Sequence, residues 1–119
     1  MHMTLKISKY YDVISPSQCG VILFTRGDKL TYDTQGNGMT GNWKVDPQRI
    51  DKVDKVIIYL REPGSTHNRI FIANYASVLP SSEAGRSIIR FNNLKEVGIT
   101  TSNWLKFAEG GQIPIRYIG

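Results

Sequence analysis

Val53-Asp54-Lys55-Val56-Ile57-Ile58-Tyr59-Leu60, a turn signal at Glu62-Pro63-Gly64-Ser65, and then Ile70-Phe71-Ile72-Ala73 have the pattern of a β-hairpin. Val56 to Leu60 is unbroken apolar sequence rich in β-branched residues, which lose rotamer freedom in a helix and fit a pleated strand. A strand apolar at every position, with no polar alternation, is one buried on both faces. Pro63 and Gly64 are turn formers, so the chain reverses there and Ile70–Ala73 is expected back alongside as the antiparallel partner.

The same pattern extends outward. Val21-Ile22-Leu23-Phe24 is a second unbroken apolar run, closed by the turn signal Arg26-Gly27-Asp28, and Lys29 to Tyr32 reads as a short strand after it. Gly36, Gly38 and Gly41 with Asn37 and Thr40 give Asp33–Asn42 the composition of a mobile loop, one long enough to mark as a binding loop. Asp46 before Pro47 is an N-cap before a first-turn proline, which predicts a short helix to about Asp51. Ala76–Leu79 extends the Ile70–Ala73 strand, 80–85 is a loop, and Ser87–Phe91 is a further strand. Trp104–Ala108 follows Thr101-Ser102-Asn103 as a helix of one to two turns stopped by Gly110-Gly111, and Ile113–Ile118 closes the chain as a strand. The expected fold is α+β and mostly β, one domain over residues 1–119, with no internal repeat. Met1-His2 before Met3 reads as a cloning remnant, and the chain as a binding module taken from a larger protein.

Composition removes several function classes. Cys19 is the only cysteine, which excludes an internal disulfide and a cysteine-rich zinc site and fits a reducing, cytoplasmic setting. No apolar run approaches the roughly 20 residues needed to cross a bilayer, so no membrane role is expected. His67, the one histidine outside the Met-His-Met start, sits in a Ser-Thr-His-Asn turn with no nucleophile pattern around it. No metal-ligand spacing occurs, and the glycine-rich stretch lacks the Lys-Ser or Lys-Thr of a nucleotide-phosphate loop, so neither metal nor cofactor is expected. Asp46, Asp51 and Asp54 alternate with Arg49, Lys52 and Lys55 as a mixed-charge solvated face would. The expectation is a protein that is not an enzyme.

Fifteen Lys and Arg against ten Asp and Glu give a net charge of +5, distributed along the chain, which folding could gather into a stripe that attracts phosphates. Aromatic residues stand beside amide and basic ones in Asn42-Trp43-Lys44, Tyr59-Leu60-Arg61, Asn103-Trp104-Leu105-Lys106 and Arg116-Tyr117. Aromatic faces sandwich a base, Asn offers a donor and an acceptor to its edge, and Arg or Lys holds phosphate. Trp43, Tyr59 and Trp104 with Asn42 and Asn103 are therefore the candidate base pocket, and Arg61, Arg86, Arg90 and Lys106 the candidate phosphate contacts. Trp43 and Trp104 would serve equally as core anchors at the two ends of the sheet. Two other readings remain: a protein-interaction domain using the same aromatics as a patch, and a small nuclease built on Asp54 and Glu62.

The segments Trp43-Lys-Val-Asp-Pro47, Val53-Asp-Lys-Val-Ile-Ile-Tyr59 and Arg69-Ile-Phe-Ile-Ala73 resemble the PUA-like superfamily, in particular its EVE and ASCH-type members. The resemblance covers about a third of the chain; Lys52-Val53-Asp54 lacks the glycine usual before the aspartate. It implies a small twisted β-barrel with short helices at its ends. It also implies binding of RNA or DNA, in several branches with a flipped, modified base held in an aromatic pocket, in a module joined to the nuclease or motor domains of a restriction system; of the two nucleic acids, DNA is the one expected here. Trp43, Tyr59 and Trp104 are the residues it places in that pocket.

Overall fold

The protein is described here by a computed structural model covering residues 5–119. The Met1-His2 start lies outside the described residues. Seven strands form one sheet: Gly20–Thr25 (β1), Leu30–Tyr32 (β2), Gly38–Trp43 (β3), Lys55–Leu60 (β4), Asn68–Pro80 (β5), Ser87–Thr100 (β6) and Ile115–Ile118 (β7). Two short helices, Pro47–Ile50 (α1) and Trp104–Ala108 (α2), and a 3-10 turn at Tyr10–Asp12 complete it. No helix among the described residues is long and apolar enough to cross a membrane.

The strand order is β2-β3-β6-β5-β4-β1-β7. β4 and β5 form the antiparallel hairpin that their sequences predict, with Ile57 opposite Ile72. β1 lies parallel to β4, Val21 opposite Val56 and Phe24 opposite Tyr59, so the two unbroken apolar runs sit side by side at the centre. Successive residues of a strand face opposite ways, and both faces are covered. Val21, Leu23, Val56, Ile58, Phe71, Ala73, Ile89 and Phe91 join Trp43 and Ile50 in one core cluster. Ile22, Ile57, Tyr59 and Ile70 join Ile7, Ile14, Phe107 and Ala108 in the other, on the opposite face. Full burial of a single Val or Ile contributes about 1.5–3 kcal/mol, and Val21, Ile22, Val56, Ile57 and Ile58 of β1 and β4 are all fully buried.

The sheet is curled. β3 and β7 stand five steps apart in the strand order, a distance of about 24 Å on a flat sheet. Yet Trp43 of β3 packs in the same cluster as Ile115 and Tyr117 of β7. Register shifts in the β5–β6 ladder after Ile70, Ile72 and Tyr75 mark bulges, which bend strands and increase their twist. No ladder joins β7 to β2 or β3 among the described residues, so the sheet is not closed as a barrel.

Two expectations are corrected. The Asp33–Asn42 loop is a tight turn at 33–37, where the Asp33 carboxylate accepts from the Gln35 and Asn37 amides at 2.9 Å, followed directly by β3. Gly38 belongs to that strand through its pairing with Tyr32 and Phe91, and it is glycine because the Thr31 carbonyl, Tyr32 and Phe91 leave no space for a Cβ there. The glycine allows close packing, and Thr40 two residues on is fully buried. The Ser87–Phe91 strand continues to Thr100, and the Ile70–Ala73 strand spans Asn68–Pro80, because the two long strands pair with each other over almost their whole length.

Candidate functional site

Where the curl brings β3 and β7 together, a cleft of about 650 Å³ opens between residues 42–46 with Arg49 on one side and Gly110, Gly111 and residues 113–117 on the other, with Arg86 also in its lining. Pockets of about 300–1,000 Å³ are the size that takes small ligands. Asp46 turns the chain out of β3 into α1: its carboxylate caps the helix, accepting from Gln48 N at 3.0 Å and Arg49 N at 3.4 Å. The Asp46 backbone N–H donates to Tyr117 Oη at 3.0 Å. The Arg49 guanidinium lies 4.6 Å from the Tyr117 ring centroid, within cation–π range. These contacts hold the two walls together without a ladder. Burial is the main cause that raises the Tyr117 phenol above the ordinary tyrosine value, opposed by the Asp46 N–H.

Trp43 is 7% exposed, and its indole N–H donates to Thr40 Oγ1 at 3.2 Å. It is thus both core anchor and cleft wall. Beside it, Asn42 Oδ1 accepts from Ser81 Oγ at 2.5 Å and Asn42 Nδ2 donates to Glu83 at 3.1 Å. Lys44, Arg49 and Arg86 are exposed and form no ion pair among the described residues. Arg116 is half-buried and donates to the Ala108 and Tyr117 carbonyls at 2.8 and 3.4 Å, so it supports the wall from behind. The one acid of the lining, Asp46, is occupied as the helix cap. Four basic residues and two aromatic rings around one committed carboxylate make a site suited to a flat, anionic ligand.

Set against protein-family models, curated proteins and solved structures, the chain matches none.

Of the residues singled out in the sequence, the cleft gathers Asn42, Trp43 and Arg86. Tyr59 and Trp104 are on the other face of the sheet and do not line the cleft with Trp43. Tyr59 is 1% exposed; its hydroxyl donates to the Ser102 carbonyl at 2.7 Å and accepts from Asn68 Nδ2 at 2.8 Å. Burial raises this phenol above its ordinary value, with Arg61 and Asn68 opposing. The Trp104 ring meets Phe24 and Tyr59 edge-on, both at 5.7 Å, and its indole N–H donates to the Ile113 carbonyl. Strand parity is the reason: Val56 and Ile58 face Trp43, so Ile57 and Tyr59 must face away.

Asn103 is the N-cap of α2, accepting from Lys106 N at 2.9 Å. Arg61 reaches the Asn68 side chain, while Arg90 on β6 and Lys106 on α2 are exposed outside the cleft lining. The residues missed are Arg49, read as part of a mixed-charge face, and Tyr117, whose pairing with Arg116 was visible but not placed.

A second hollow of about 590 Å³ shares Asn42, Trp43 and Pro114 with the first and adds Phe24, Arg26, Asp28, Lys29 and Glu83. Its two basic residues are balanced by two acids. Asp54 and Glu62 lie beyond opposite ends of β4, about 26 Å apart along an extended chain. Asp54 accepts from Cys19 N at 3.1 Å, and Glu62 pairs with Arg69 at 3.4 Å, so these carboxylates do not form one site.

Proposed function

We propose that the chain is a nucleic-acid recognition module that takes one base of DNA, turned out of its stack, into the cleft between Trp43 and Tyr117. The observation that carries this reading is a cleft with two aromatic walls and three exposed cations, Lys44, Arg49 and Arg86, unpaired among the described residues. In this reading the base stacks on the Tyr117 ring and abuts the small exposed part of Trp43, the Asn42 amide meets its edge, and the three cations hold the adjoining phosphates. Stacking on an aromatic side chain is worth about 1–3 kcal/mol per base. That is comparable to the few kcal/mol needed to flip a base, so mismatched or modified positions would be favoured.

The curled sheet with short helices at its rim supports the PUA-like assignment. On that assignment the barrel is completed across the β3–β7 seam by side chains in place of a ladder. A cytoplasmic module attached to nuclease or motor domains, with no cofactor of its own, is the corresponding biological setting.

The test is a fluorescence titration of a Trp104→Phe variant, in which Trp43 is the only indole, with single-stranded, matched and mismatched duplex oligonucleotides at low salt. Quenching that saturates, with the mismatched duplex bound more tightly than the matched one, is expected. Absence of binding to all three refutes the proposal. Ile113, 68% exposed at the cleft edge, favours a second reading in which the cleft takes an apolar side chain of a protein partner. That reading predicts binding insensitive to salt.

A further inference from the structure

The loop between β5 and β6 lines the cleft at Arg86, and Ser81 together with Glu83, the latter in the adjoining hollow, holds the amide of Asn42, which lines both the cleft and the hollow. These two holders are chemically unequal. A hydroxyl donates or accepts, so Ser81 can satisfy either end of an amide. A carboxylate only accepts, so Glu83 can face the Asn42 NH₂ and is repelled by its carbonyl oxygen. Glu83 alone therefore decides which way round the amide stands, and Ser81 follows. An amide has two N–H donors and two acceptor lone pairs. With one of each taken, Asn42 keeps one N–H and one lone pair for a ligand, and which end of the amide carries each is fixed by Glu83.

We propose that Glu83, acting through Asn42, is the specificity-determining positioning residue of the base site, and this rests on reading the cleft as that site. Bases differ in the order in which donor and acceptor run along an edge. A ring whose plane is set by Trp43 and Tyr117 presents that edge in one orientation, so an amide locked one way round accepts one order and rejects the reverse. Glutamine at 83 would accept either amide orientation. Lysine, which only donates, would draw the Asn42 oxygen toward itself and reverse the order.

The experiment measures affinities of the full chain for four single-stranded oligonucleotides that differ only in the central base. For the wild type, a preference of about tenfold for one base is expected, at the lower end of what a bidentate contact provides. Glu83→Gln and Asn42→Ala are each expected to bring the four affinities within about threefold of one another. Glu83→Lys should move the preference to a different base while its added charge raises all four affinities together. A merely structural role for Glu83 would change the affinities without changing their ratios.

If Glu83→Gln retains the wild-type ratios, or weakens all four equally, while Asn42→Ala flattens them, the role of Glu83 is overturned and the base site stands. Equal affinities of the wild type for all four also overturn it. If the wild type binds none of the four, the base site itself falls.

Discussion

Replacing Tyr59 by Phe removes one oxygen and leaves two buried partners unpaired. Tyr59 is 1% exposed and Asn68 4%; the hydroxyl bridges Asn68 Nδ2 at 2.8 Å and the Ser102 carbonyl at 2.7 Å. The ring itself keeps its contacts with Phe24, Trp104 and Phe107, so no cavity term enters. Each stranded polar group costs about 1–3 kcal/mol, and partial relaxation of the Ser102 turn brings the sum to about 2–4 kcal/mol. For a chain of this size that is a fall of about 10 °C in Tm. Urea denaturation followed by circular dichroism should show a lower midpoint with the slope unchanged. Oligonucleotide binding by the folded variant should equal the wild type, because Tyr59 lies on the face of the sheet away from the cleft. A stability change under about 0.5 kcal/mol, or a folded variant that no longer binds, would refute this placement.

Gly38→Ala should destabilise by about 1–3 kcal/mol through overpacking, since its Cβ would overlap the Thr31 carbonyl and stand 2.9 Å from the Phe91 ring. Gly111→Ala, which meets nothing within 4 Å, should stay within about 0.5 kcal/mol of wild type in the same urea experiment. The Tyr59 and Tyr117 phenols are raised in the folded state chiefly by burial. The protonated form is therefore favoured by folding, and its contribution is present below the ordinary value near 10 and lost as pH rises through the raised values. Ultraviolet titration should show phenols ionising above that value together with falling stability. A single ionisation step near 10 with flat stability would contradict it.

The centre of the fold was legible because its signal is local. Val21–Phe24 and Val56–Leu60 are apolar without interruption, and only a strand covered on both faces uses such runs. Their parallel pairing was not legible, since partner choice depends on how β2, β3 and α1 cross between them. The second half of β6 went unread because Asn92-Asn93-Leu94-Lys95-Glu96 carries no apolar alternation, and Asn93 takes a left-handed backbone, φ 56°. That polar stretch is strand because β5 supplies its hydrogen bonds. At the site, Asn42, Trp43 and Arg86 were visible as residue types, but strand parity separates Trp43 from Tyr59, and parity between distant strands has no mark in sequence. Arg49 was hidden among alternating charges; its distinction is the Tyr117 ring beneath it, which only the curl of the sheet provides.

The most direct test of the cleft as a nucleic-acid site is the salt dependence of binding to a single-stranded oligonucleotide. Three cations at the cleft, Lys44, Arg49 and Arg86, predict a slope of log K against log salt of about −2. Replacing all three with Ala should remove most of that slope and weaken binding severely. The matching triple variant at Arg61, Arg90 and Lys106 should leave both slope and affinity near wild type. The reverse result, with the cleft variant unchanged and the second variant flattened, would contradict the account and move the binding surface elsewhere on the molecule.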